Sequence, residues 1–154
     1  MSSLVLMLFA LSIILFQLSC KKDAVAQTGT LTKQQILVQK TWKLDQLHRV
    51  INGVYASYFN GGVNTTGENY NNLRYTFKDD GTGTYIDQNS ASRSFTWQFT
   101  STDQRSMKLT ISGAAAADTW QMVEIAGNYM HCTENFAIGS NSNNLHSFRL
   151  IQIP

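Results

Sequence analysis

Between residues 41 and 153, apolar side chains recur at every second position. Phe95, Trp97 and Phe99 alternate with Ser94, Thr96, Gln98 and Thr100. Met107, Leu109 and Ile111 alternate with Ser106, Lys108 and Thr110, and Leu73, Tyr75 and Phe77 with Arg74, Thr76 and Lys78. A period of two sends successive side chains to opposite faces of a strand, so one face of each segment is apolar. Trp42 and Leu44, then His48 and Val50, begin the series against Lys43, Asp45 and Arg49. Residues 54–59, 84–88, 120–125, 129–134 and 145–153 complete it. Strand signals at a spacing of roughly 8–12 residues mark an antiparallel sandwich or barrel.

The links between these segments are short. Asp80-Gly81 and Gly127-Asn128 are hairpin signals, and 101–104 (STDQ) fits a four-residue hairpin loop. Short links join neighbours in sequence, which predicts a meander. About nine candidate strands with one apolar face favour closure, because a closed ring leaves no edge exposed. The single Pro is the last residue, so no ladder is interrupted. Two connections are longer: 60–72, rich in Gly, Asn and Thr, and 137–144 (AIGSNSNN). Before the first strand, Thr32 with Gln35 three residues on matches a capping box, and Ile36 and Leu37 suit a short helix over 32–40.

The chain starts differently. Residues 4–18 (LVLMLFALSIILFQL) are almost continuously apolar. That is about 15 residues, or about 22 Å of helix, short of the roughly 20 residues that a spanning helix needs. The run reads as the apolar region of an export signal. It ends at Leu18-Ser19-Cys20, followed by Lys21-Lys22-Asp23. An apolar stretch, a small residue before Cys, then a polar tether resembles the bacterial lipoproteins. The resemblance implies cleavage after Ser19, a diacylglyceryl thioether on Cys20 and an acylated amino terminus, with lipid chains holding the protein to the membrane. Lys21 rather than Asp after the Cys implies sorting to the outer membrane. The expected organisation is a signal peptide over 1–19, a flexible tether over 20–31, and one domain over 32–154.

The domain resembles the bacterial lipocalin-like lipoproteins. Their pattern is a helix, a Trp strand, an Asn-Gly turn, a Phe-x-x-Asp-Gly-Thr hairpin and a second Trp strand. Here these are Lys40-Thr41-Trp42-Lys43-Leu44, Asn52-Gly53, Phe77-Lys78-Asp79-Asp80-Gly81-Thr82 and Thr96-Trp97, within a likeness covering 35–153. Lys40 stands where the family has Gly. The resemblance implies an all-β fold: an up-and-down antiparallel barrel of eight strands with a short N-terminal helix across one end. It also implies that Arg149, on the last strand, packs over Trp42 of the first as a cation–π pair.

Composition excludes several functions. A net charge of +2 with 14% charged residues leaves no electrostatic footprint for nucleic acid. His48, His131 and His146 lack metal-ligand spacing, so neither a metal nor a cofactor is expected. Asp79-Asp80-Gly81 lacks the alternating acidic residues of a calcium loop. There is no Gly-x-Ser-x-Gly, and Asp45, Asp87, Asp103, Asp118, Glu124 and Glu134 are scattered over turns and predicted solvent faces. With Cys20 acylated, Cys132 is the remaining thiol and reads as a small buried hydrophobe beside His131, which points to the other strand face. No catalytic residue is assigned, and a non-enzyme is expected.

Binding remains. An eight-stranded barrel is just wide enough to be filled or to hold one small ligand. The expected lining is Trp42, Tyr75, Phe77, Phe95, Trp97, Phe99 and Trp120, within an inward set that also takes in Leu44, Leu73, Met107, Leu109, Ile111 and Met122. Tyr75 and Trp97 are its polar handles. The sequence therefore reads as a lipid-anchored envelope protein whose barrel binds a small apolar or amphipathic molecule. The alternative is a non-enzymatic interaction module. It would present Tyr55, Tyr58, Phe59 and Tyr70 on its loop rim to an unidentified protein partner, such as an envelope protein or a protease to be inhibited.

Overall fold

The computed structural model describes residues 30–60, 63–138 and 141–154; the export segment, Cys20 and most of the tether lie outside them. One short helix, α1 (Lys33–Leu37), precedes β1 (Thr41–Ile51), β2 (Val54–Asn60), β3 (Val63–Asn64), β4 (Arg74–Phe77) and β5 (Thr82–Ile86). The chain continues through β6 (Ser92–Phe99), β7 (Ser106–Ile111), β8 (Asp118–Ala126), β9 (Tyr129–Ile138) and β10 (Asn141–Ile153). β4 to β10 pair each with the next, β10 pairs with β1, and β1 pairs with β4. The result is a closed barrel of 8 antiparallel strands, the expected fold class.

The meander departs from strict sequence order once. Along one edge of β1, Thr41–Lys43 face Arg74–Thr76 of β4, while Gln46–Ile51 face Val54–Asn60 of β2. Both partners run antiparallel to β1, so β2 and β4 lie end to end as one barrel strand broken by residues 61–73. β3 folds back on β2 through Phe59↔Asn64 and Asn60↔Val63. The predicted loop over 137–144 is shorter than expected, because β9 and β10 extend into it as far as Ile138 and Asn141.

Two bulges reset which residues face inward. The β1–β10 register skips between Leu44 and Gln46, so Leu47 rather than His48 follows Leu44 into the core. The β8–β9 register skips between Gln121 and Glu124, where Met122 adopts a φ of 52°. Val123 is therefore buried, and Met122, expected inside, is 55% exposed. A bulge inserts one unpaired residue and inverts the alternation beyond it.

One end is sealed. Thr32 caps α1 in the predicted box, with its side chain accepting from Gln35 N and the Gln35 side chain accepting from Thr32 N. Five residues of helix are too few to stand alone. Neighbours strap it down: Lys33 Nζ donates to the Asp103 carbonyl (3.2 Å), Gln34 Nε2 to Asp79 Oδ1 (2.9 Å) and Gln152 Nε2 to the Ile36 carbonyl (3.0 Å). Leu37 is fully buried beneath them.

The turns follow residue chemistry. Asn52 and Gly53 both have positive φ, as a two-residue I′ hairpin needs. At 78–82, Asp80 Oδ1 accepts from Thr82 N (2.9 Å) and Gly81 takes a φ of 79°. Gly83 is required by contact: a Cβ there would lie 2.2 Å from the Phe95 ring and 2.6 Å from the Thr76 carbonyl.

Candidate functional site

The inward residues divide by level. Near α1, Trp42, Phe77, Met107, Leu109, Met130 and Leu150 are at most 1% exposed. Rings fill this half edge to face: Phe77 lies 5.2 Å from Phe95 and 5.6 Å from Trp97, and Trp97 lies 5.8 Å from Phe99. Toward the other end, inward-facing Arg49, Tyr85, Ile111, Asp118, Glu134, His146 and Phe148 are only partly buried. Their partial burial makes the half away from α1 the more open of the two, and this open half is the candidate site.

A belt of polar side chains lines this half. Strand registers place Glu134 beside His146 and His146 beside Arg49. Trp120 is registered with Glu134, and Asp118 lies two residues before Trp120 on the same face. Successive strands β8, β9, β10 and β1 thus contribute Asp118, Glu134, His146 and Arg49. Arg49 Nε donates to His146 Nε2 (3.3 Å), and His146 Nδ1 lies 3.5 Å from Glu134 Oε2. A nitrogen that accepts from a guanidinium carries no proton, so the imidazole hydrogen sits on Nδ1 and points at Glu134. The imidazole stacks on Phe136 with centroids 4.0 Å apart. Beyond it, Arg49 Nη2 donates to the Tyr70 hydroxyl (3.2 Å), which donates to Glu68 Oε2 (2.8 Å). Residues 68–70 are thereby tied to β1 at the break in the wall, with Phe59 and Tyr70 packed 5.8 Å apart.

Burial and like charge set the protonation of this belt. Burial, then the neighbouring Glu134 carboxylate, raises Asp118 to about 6. Burial, then Asp87 and Asp118, raises Tyr85 to about 12. Burial, then the Glu68 hydrogen bond, raises Tyr70 to about 12. Burial and Glu134 also raise the Cys132 thiol well above its ordinary range, which holds it as a neutral thiol. His131 faces the opposite side, its Nε2 3.0 Å from Ser147 Oγ.

Tyr75 is the exception to hydrogen-bond satisfaction. Its side chain is 9% exposed and its ring packs 5.0 Å from both Tyr85 and Trp120. No hydrogen bond reaches its hydroxyl, although every enclosed side-chain nitrogen and oxygen among the described residues has a partner. The hydroxyl therefore faces interior space that a water-sized probe can touch. Burial raises its pKa well above the usual phenol range, with Tyr85, Glu134 and Asp118 adding to the shift.

The other predicted site residues fall elsewhere. Trp42 is wholly buried in the sealed half, where Nε1 donates to the Leu37 carbonyl (2.8 Å) and ties α1 to β1. Trp97 Nε1 donates to the Lys78 (3.1 Å) and Thr82 (3.0 Å) carbonyls, so this handle holds a hairpin rather than facing open space. Phe77 and Phe95 are floor, and Phe99 packs partly buried at the α1 end. Trp120 lies at the junction of the halves, 6.0 Å from Phe148. Arg149 does not cover Trp42. It leaves the barrel on the outer face, is registered with Gln46, and pairs with the Asp45 carboxylate. The bulge at Asp45 brings that carboxylate beneath the guanidinium. On the predicted rim, Tyr55 (74%) and Tyr58 (40%) are exposed, whereas Phe59 (5%) and Tyr70 (6%) are buried.

Sequence reasoning missed the belt. Asp118 and Glu134 read as isolated surface charges, His146 as a lone histidine, and Arg49 as outward-facing. The available signal was a polar residue at an inward phase on each of four strands that closure makes neighbours. Among the described residues, no three His, Cys, Asp or Glu side chains converge as a metal site. Comparison with protein-family models, curated proteins and solved structures finds no match for this chain.

Proposed function

We propose that this chain is a lipid-anchored protein of the bacterial outer membrane, of the lipocalin-like kind, whose barrel takes a small amphipathic molecule in its open half. The unpartnered Tyr75 hydroxyl, nine-tenths buried among rings, carries the reading. A water-sized probe can touch this hydroxyl, so its hydrogen bond is open to a ligand atom that takes the place of water. The division of the interior supports it further: packed rings give an apolar floor, and the Asp118–Arg49 belt gives a polar collar at which a headgroup can stop. The Cys20 lipid would fix the barrel at the membrane surface, where amphiphiles collect. A non-enzymatic role is supported by the engagement of His146 at both ring nitrogens, by Arg49 and by Glu134, which leaves no free imidazole base for a substrate.

A neutral fluorescent amphiphile, N-phenyl-1-naphthylamine, titrated into the chain tests the reading. We expect saturable brightening at one probe per barrel, lost in Ile111→Trp, which fills the open half. Brightening that never saturates, or that Ile111→Trp leaves intact, would overturn it.

A second reading has its own observation. Val54 (67%), Tyr55 and Val63 (55%) expose an apolar face on the β2–β3 flap, as a protein-docking surface would. Tyr55→Ser with Tyr58→Ser, leaving probe binding unchanged but abolishing capture of an envelope protein, would support that alternative.

A further inference from the structure

We infer that the open half is built for the cationic headgroup of an organic amine or quaternary ammonium, held between the Asp118 and Glu134 carboxylates and the rings of Tyr75, Tyr85 and Trp120. The inference rests on the ligand-binding reading and specifies its ligand class.

Charge accounting in the belt leads to it. Arg49 lies 3.7 Å from Glu68, and Arg93 lies 3.9 Å from Asp87. Each guanidinium is thus matched to a carboxylate at the edge of the opening. Asp118 and Glu134 share a hydrogen bond with each other and, among the described residues, have no Arg or Lys partner. They lie on one face of the adjacent strands β8 and β9, and among the described residues the basic group against Glu134 is the imidazole of His146, whose other nitrogen accepts from Arg49. Among the described residues the carboxylate pair therefore has no guanidinium or ammonium of its own. A proton now compensates it, as the elevated titration of Asp118 records. An ammonium in that place would let both carboxylates ionise.

The rings give the second, independent reason. Tyr75 and Tyr85 stand 5.0 Å apart at 33°, and Trp120 meets Tyr75 edge-on at 81°. Aromatic faces around a carboxylate pair attract a cation through the ring quadrupole and accept its methyl groups. A neutral or anionic headgroup gains nothing from the quadrupole and meets repulsion from the carboxylates. The Tyr75 hydroxyl lies in the field of Asp118 and Glu134 and has no hydrogen-bond partner among the described residues.

The test uses three probes that share a hexyl chain and differ in headgroup: hexyltrimethylammonium, hexanol and hexyl sulfate. Each is titrated into the full lipidated chain held in uncharged dodecyl maltoside micelles, with tryptophan fluorescence as readout. The account predicts that the cation binds at least tenfold more tightly than hexanol and that hexyl sulfate binds weakest. In Asp118→Asn/Glu134→Gln the cation loses that advantage while hexanol affinity is unchanged. The amide substitutions keep side-chain shape and remove like-charge repulsion, and unchanged hexanol binding reports an intact barrel. Cation affinity in the native chain should also fall below pH 6, since Asp118 must ionise; hexanol affinity should not. The titratable groups that interact with Asp118 are Glu134 of β9, Tyr75 of β4 and Tyr85 of β5, with His146 of β10 reaching Glu134, and the double variant removes the pH effect if it belongs to the carboxylate pair. Equal binding of cation and hexanol would overturn the cation assignment and leave small-molecule binding standing. Binding of none of the three would overturn both.

Discussion

Tyr75 and Trp120 meet across the barrel interior, rings 5.0 Å apart and crossed at 81°. They come from β4 and β8, on opposite sides of the eight-strand ring, and their contact is the floor on which the open half rests. Below it the rings of Phe77, Phe95 and Trp97 leave no polar atom without a partner, and above it the Arg49–Asp118 belt begins.

This division predicts different costs for two substitutions in neighbouring inward positions of β4. Tyr75→Phe removes a hydroxyl with no hydrogen bond, so urea unfolding should shift by less than about 0.5 kcal/mol. Phe77→Ala empties a site that is 1% exposed and should cost about 3–5 kcal/mol. A large loss in Tyr75→Phe would mean that the hydroxyl is structurally engaged.

Gly83 lies where a ring crosses the backbone. In Gly83→Ala the new methyl meets both Phe95 and the Thr76 carbonyl, and the latter cannot rotate away. The expected loss is about 1–3 kcal/mol. Trimming the ring as well, in Gly83→Ala/Phe95→Leu, should not restore stability. Recovery would place the strain in the ring alone.

The Asp118 carboxyl makes stability depend on pH. Its folded-state value of about 6 lies above its ordinary 3.8, so the folded chain binds more proton than the unfolded chain between these values. Stability therefore falls as pH rises from about 4 to about 6 and is level above that. Because the group is partly solvated, the change is about 1–2 kcal/mol rather than the full value of the shift. Denaturation midpoints of the native chain and Asp118→Asn should diverge by this amount between pH 4 and 7, with the variant the more stable at 7. Parallel curves would contradict the burial of this group.

On the outer face, the Arg149–Asp45 pair is half exposed, so Arg149→Ala should cost at most about 1 kcal/mol and leave the near-ultraviolet signal of Trp42 unchanged. Loss of that signal would restore the stacking that the lipocalin-like resemblance implied.

The anchor is tested through Cys20. Cys20→Ser should abolish incorporation of radiolabelled palmitate and release the chain from outer-membrane fractions. Unchanged fractionation would remove the lipid from the account.

The strands and turns were legible because their signals are local. The alternation at 95–99 and 107–111, the Asp80-Gly81 and Gly127-Asn128 turns and the Thr32 cap each depend on a few adjacent residues. What failed was phase and neighbourhood. Inserted residues at Asp45 and Met122 invert the alternation, sending Leu47, Arg49 and Val123 inward and His48 and Met122 outward, and no local pattern announces a bulge. The break in the second barrel strand was equally hidden, because β2 and β4 become collinear only once β1 lies beside both. The polar belt is a property of closure: Arg49 and His146 are far apart in sequence and become neighbours only when β10 closes on β1. Tyr75 and Trp97 were both expected as polar handles by their chemistry; the Tyr75 hydroxyl has no hydrogen bond among the described residues, whereas the Trp97 indole nitrogen is committed to two carbonyls.

The most direct measurement is native mass spectrometry of the mature protein purified from its own envelope. The account predicts a barrel carrying one retained small molecule, absent from Ile111→Trp prepared in the same way and, where it can be identified, bearing a basic nitrogen. A bare mass from the native chain under conditions that preserve the fold, together with no saturable uptake of added amphiphile, would contradict it.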